Sequence, residues 1–123
     1  MLGIAIALGA EEARAITRVA SRVTSRFDLG QCDFCAVAIK TEFQRFGING
    51  THIRIETVSN SGIQGRIFSK KANDLISTNG YHEAIVVKMN GEEIVFDNIH
   101  KTGIPKQQWI DDFETLVPLK SEI

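Results

Sequence analysis

Gly30-Gln31-Cys32-Asp33-Phe34-Cys35-Ala36 puts a thiol where a loop turns into a helix. A helix N-terminus offers unpaired backbone N–H groups and the positive end of the helix dipole, and both stabilise a thiolate. Cys32 is therefore a candidate nucleophile. Cys35 falls on the apolar stripe of the same helix, where burial raises a thiol's pKa and makes it inert. A nucleophilic Cys needs a base within hydrogen-bond reach, and the base needs an orienting group. The segment around Asn90-Gly91 offers both. A two-residue turn there places Ala84 opposite Asp97, and strand faces alternate with period two, so His82 shares the face of Ala84. His82 and Asp97 then become diagonal neighbours on one side of a sheet. By residue pattern alone, Cys32, His82 and Asp97 suggest a Cys–His–Asp triad.

Other readings of the same residues stay open at this level. A Cys-x-x-Cys pair can be a thioredoxin-like redox couple, but that motif follows a buried strand, and Phe27-Asp28-Leu29-Gly30 is short and polar. It can also be half of a zinc site, yet His52, His82 and His100 are spaced too widely for a finger-like pattern. A His at a strand end and an Asp after a strand are common in domains without catalysis, where they can simply satisfy each other.

The elements that must position these residues follow from periodicity. Ala13, Ile16, Ala20, Val23 and Phe27 recur at helical spacing and predict a helix from about Ala10 to Arg26. Arg14, Arg18, Arg22 and Arg26 form a basic ridge along it, either a solvated face or a docking surface for an acidic partner. Gly30 interrupts the pattern. A second helix opens near Cys32 or Asp33, with Cys35, Ala36, Ile39, Phe43 and Phe46 as its buried stripe and Gly47 as its stop. His52–Val58 alternates as a strand, and the polar, glycine-containing stretch Ser59–Gly65 reads as a loop. Glu83–Met89 and Glu92–Asp97 flank Asn90-Gly91 as a hairpin. Gly103-Ile104-Pro105 and a short helical stretch, Lys106–Phe113, carry Trp109 in the tail. Helix, helix, strand, loop, hairpin and tail make an α+β domain with an antiparallel sheet.

Composition bounds the rest. The chain has 123 residues, the size of one domain, and 43% hydrophobic residues are enough for a real core. The net charge of −1 gives no global field for nucleic acid or an anionic membrane. Two cysteines cannot staple a domain of this size as a disulfide framework. Met1–Ala10 is apolar but shorter than the roughly 20 residues a membrane span needs. It also lacks the basic start of a secretory signal, and reads as a packed segment.

The blocks Gly30-Gln31-Cys32 through Ala36 and Phe43 to Gly47-Ile48 resemble the nucleophile helix of transglutaminase-like and papain-like folds. Gly80-Tyr81-His82-Glu83-Ala84-Ile85 and Val95-Phe96-Asp97-Asn98 resemble their His and Asp strands. With Gly103-Ile104-Pro105 and Trp109, the stretch from Cys32 to Phe113 is similar to the compact papain-like fold toxin domain of bacterial polymorphic toxins. The resemblance implies one papain-like domain over residues 1–123, a helical segment at 1–29 followed by a catalytic core at 30–123. Its nucleophile helix would pack on a small antiparallel sheet. The activity implied is a cysteine protease or amidase acting through a thioester, with Cys32 as nucleophile, His82 as general base and acid, and Asp97 orienting His82. Papain's own Cys-x-x-Cys uses the second thiol, which points to Cys35, whereas the transglutaminase register points to Cys32. Asn98 is the other residue that can orient a histidine, but alternation turns it to the opposite face. Peptide bonds come first as the substrate, ahead of glutamine side chains, with no metal or other cofactor. The resemblance further implies a cognate immunity protein and a protein substrate as partners. It also implies delivery, as the C-terminal domain of a larger effector, into the cytoplasm of a target cell.

Overall fold

The computed structural model describes residues 2–27 and 31–122, with side chains described for 12–27 and 31–120. Two helices come first, α1 (Leu2–Thr24) and α2 (Cys32–Arg45). Strand β1 (Thr51–Thr57), a 3-10 turn at Gly62–Gly65, and strands β2 (Ile67–Ser69) and β3 (Asp74–Ser77) follow. The hairpin is β4 (Tyr81–Met89) and β5 (Glu92–Phe96). The chain then runs through β6 (Ile104–Pro105), α3 (Lys106–Asp111), β7 (Phe113–Thr115) and β8 (Leu119–Glu122).

Helix α1 begins eight residues earlier than the periodicity predicted, so the apolar start is helical backbone. It ends at Thr24, where the N–H groups of Arg26 and Phe27 bond carbonyls only three residues back and tighten the last turn. Ile16, Val19, Ala20 and Val23 are buried, and Arg14, Arg18, Arg22 and Arg26 are exposed. The break predicted at Gly30 lies outside the described residues.

Helix α2 buries Cys32, Cys35, Ala36, Ile39 and Phe43. Phe46 corrects the predicted stripe: it is 58% exposed. The cause is the helix stop. Gly47 adopts φ +70, its N–H bonds the Gln44 carbonyl, and the Ile48 N–H bonds the Phe43 carbonyl, which is a Schellman closure. The chain reverses there, so Ile48 takes the place against the core and Phe46 swings outward.

The main sheet is antiparallel, in the order β6-β5-β4-β1-β8. Asn90 and Gly91 have φ +53 and +80, the left-handed pair that a two-residue type I′ turn requires. The register follows, with Ile85 opposite Phe96 and Val86 opposite Val95. Ile85, Val87 and Phe96 face the two helices, and Phe43 meets Phe96 edge-on at 5.8 Å. The opposite face carries Ile53, Ile55, Ala84, Val86 and Val95. It is covered by Ile67, Ile76, Trp109 and Phe113 from a second sheet, β3-β2-β7, and from α3. The fold is α+β, as predicted, with this second layer added. Among the described residues no helix is long and apolar enough to cross a membrane.

Candidate active site

Strand β4 starts and strand β5 ends at the same rim of the main sheet. His82 is the second residue of β4, and Asp97 follows the last residue of β5. Their side chains meet in a hydrogen bond of 2.8 Å from His82 Nε2 to Asp97 Oδ2, and both are buried. A carboxylate is costly to bury unless every lone pair is used. Asp97 is well supplied. Trp109 Nε1 donates to Oδ2 at 2.8 Å, and Oδ1 accepts the backbone N–H groups of Ile99 and His100 and the Nδ1–H of His100. The backbone bonds close a turn just past the strand, the local pattern an Asp favours, and fix which way the carboxylate points.

Aromatic rings enclose His82, with Phe113 edge-on at 5.3 Å and Trp109 at 6.1 Å. Nε2 is taken by Asp97, whereas Nδ1 has no hydrogen-bond partner of normal geometry among the described residues. Cys32 opens α2 and is 6% exposed. Its influence on His82 marks the two side chains as neighbours. Burial alone pushes the His82 imidazolium down. The hydrogen bond to Asp97, the contact with Cys32 and the negative charges of both outweigh it, and the pKa rises to about 9. Burial likewise pushes Asp97 up, but hydrogen bonds from His100 and His82, and their positive charges, hold it well below the usual carboxylate range. The environment is thus arranged to keep His82 protonated and Asp97 ionised.

The two thiols differ. Burial, then the charges of Asp97 and Cys32, push the Cys35 thiol up to about 12, against a smaller opposing effect of Lys101. Cys35 belongs to the apolar cluster under the helices, as its place on the stripe predicted. Asn98 is buried, but the hydrogen bond from His82 goes to Asp97. His52 is on β1, paired with Glu83 at 3.3 Å, and takes no part. A groove of about 730 Å³ lies between α1 and Phe46–Ile48 and includes none of the residues around His82.

Two members of this site were not assigned to it from the residue pattern. His100 sits three residues after Asp97, the spacing of a turn closed by an Asp side chain, so a local signal existed. Trp109 reaches Asp97 only because α3 folds back over the sheet, and no local pattern announces that.

Residues 13–114 match the family model described as papain fold toxin 2. No curated protein and no solved structure matches the chain.

Proposed function

The chain belongs to the papain fold toxin 2 family, and from that membership and the geometry around His82 we propose a toxin domain that acts as a cysteine protease on a target-cell protein. The observation that carries this reading is the buried pair His82 Nε2–Asp97 on a ring that also feels Cys32, and in this reading Cys32 takes the other nitrogen, Nδ1. Asp97 orients the ring, and His82 takes the Cys32 proton to form an ion pair. The thiolate attacks the carbonyl carbon of a peptide bond, and the tetrahedral oxyanion is met by the backbone N–H of Cys32, at the first turn of α2. His82 returns the proton to the leaving amine as the C–N bond breaks. Water, deprotonated by His82, then hydrolyses the thioester and restores the thiol. No cofactor enters. A cognate immunity protein in the producing cell and delivery into the target cytoplasm belong to the same proposal.

The test is inducible expression in a bacterial cytoplasm, with new protein N-termini mapped by mass spectrometry. Growth arrest and new N-termini should both disappear in Cys32→Ala, His82→Ala and Asp97→Ala and persist in Cys35→Ala. Arrest accompanied by glutamine-to-glutamate conversion without new N-termini would make the enzyme a deamidase. Undiminished arrest in Cys32→Ala would end the hydrolase reading.

A further inference from the structure

The hydrogen-bond network that holds Asp97 continues beyond His82 and Trp109. His100 is fully buried, with Nδ1 at 2.9 Å from Asp97 Oδ1 and Nε2 at 3.1 Å from Asp112 Oδ2. Asp112 in turn accepts from two further donors, one at the end of β2 and one in the turn after it. Ser69 Oγ donates to its Oδ2 at 2.6 Å, and the Lys71 backbone N–H donates to its Oδ1 at 2.9 Å. An ionised carboxylate accepts and cannot donate. An imidazole placed between two of them can satisfy both only if both of its nitrogens carry protons.

We propose that His100 is a positioning residue, doubly protonated between Asp97 and Asp112, that locks the Asp97 carboxylate for His82 and ties the triad to the turn between β2 and β3. This rests on the triad reading above. Among the described residues, two carboxylates face it, and Lys101 follows it in the chain. Asp97 faces His100 from the turn after β5 and Asp112 from the end of α3, while the Phe113 ring closes one side at 6.1 Å. His82 in turn faces Asp97 and Cys32. Of the nearby lysines, Lys70 sends its Nζ to the Asp111 carbonyl, and Lys71 uses its backbone N–H on Asp112.

A second positive ring on Asp97 has a defined electrostatic consequence. It offsets part of the carboxylate's charge, so His82 is held less tightly as imidazolium than an uncompensated buried Asp would hold it. The pair can then return its proton to a leaving group. Asp112→Asn separates charge from packing. The amide is isosteric, still accepts from Lys71, and can donate to His100 Nε2. His100 is then neutral but keeps its Nδ1–H bond to Asp97.

Two measurements test this. In ¹⁵N-histidine NMR of the whole chain at pH 7, His100 should show both ring nitrogens protonated, and the Nε2 proton should vanish in Asp112→Asn. In the same variant, the alkaline limb of the pH profile for iodoacetamide labelling of Cys32 should move up by about half a pH unit, because Asp97 now acts on His82 uncompensated. Asp112→Glu, which keeps the charge, should restore the wild-type limb. A singly protonated His100 in the wild type overturns the proposal, as does a limb that stays put or moves down, the direction a merely loosened Asp97 would give. Failure of the triad itself looks different: His82→Ala would then leave Cys32 labelling unchanged, whatever the state of His100.

Discussion

His82 and Trp109 share one oxygen of Asp97, each donating to Oδ2 at 2.8 Å. The hairpin supplies one donor and α3 the other, so the carboxylate adds a polar tie to the apolar packing that joins the two layers of the fold. Trp109→Phe keeps most of the apolar contact and removes the N–H. Oδ2 loses one of its two donors in a buried setting, which costs about 1–3 kcal/mol. Urea denaturation should show that loss, and the labelling rate of Cys32 should fall with it. A variant as stable as wild type would mean that the indole N–H contributes nothing to holding Asp97.

Trp109 is the sole tryptophan, and its ring lies 6.1 Å from that of His82 at a tilt of 33°. A protonated imidazole quenches a neighbouring indole far more than a neutral one. Emission should therefore rise as pH passes through about 9, where His82 loses its proton. His82→Gln should flatten the titration. A step centred near pH 6.5 in the wild type would mean that Asp97 and Cys32 do not stabilise the imidazolium.

Stability should follow the same groups. The pKa of His82 is higher in the folded state, so its contribution is complete below about pH 6.5 and is lost as pH rises through about 9. Asp97 is depressed, so its contribution is present above the ordinary carboxylate range and is lost only as pH falls through its low folded value. Thermal unfolding should thus show a plateau bounded on the alkaline side by His82. In Cys32→Ser one of the supports of the imidazolium goes, so the decline should still begin near pH 6.5 but end at lower pH and be smaller in total.

Cys32 and Cys35 should separate in a labelling experiment resolved by peptide mass spectrometry. Cys35 is fully buried and its pKa is pushed up to about 12, so it should stay unlabelled across the range in which the fold survives. Cys32 should label, and lose its labelling rate in His82→Ala. Fast labelling of Cys35 in the native protein would move the nucleophile three residues along the helix.

Much of this was written locally in the chain. Asn90-Gly91 sets the hairpin turn, the turn sets the register, and the register puts His82 and Asp97 on one face. Cys32 opens α2 where the Gly30–Ala36 pattern predicted a helix start. The second sheet was not legible, because Ile67–Ser69 and Phe113–Thr115 have three residues each and pair across more than forty positions. Segments that short have too few alternations to announce a strand, and their pairing is decided by long-range packing. The same layer supplies Trp109 and Asp112, which is why the outer half of the hydrogen-bond network escaped the sequence. Phe46 escaped for a different reason: helical spacing continues through it, but the left-handed Gly47 ends the helix one residue earlier.

The backbone entering the His82 strand depends on Gly80. It has φ +87, its N–H bonds the Gly65 carbonyl at 2.8 Å, and its carbonyl accepts the Thr57 N–H at 2.8 Å. A Cβ there would lie 2.8 Å from Asn60 Cβ and 2.9 Å from Thr57 Oγ1. Gly91 has nearly the same φ, +80, with nothing within 4 Å of an added Cβ. The two glycines therefore separate backbone strain from crowding. Gly91→Ala should cost only the left-handed penalty, about 1 kcal/mol. Gly80→Ala adds overpacking against β1 and should cost about 3 kcal/mol. Because any relief must shift the start of β4, Gly80→Ala should also slow Cys32 labelling at temperatures where the protein is still folded, and Gly91→Ala should not. Equal losses of stability in the two variants, with equal labelling rates, would show that the approach of Gly80 to Asn60 and Thr57 does not position His82.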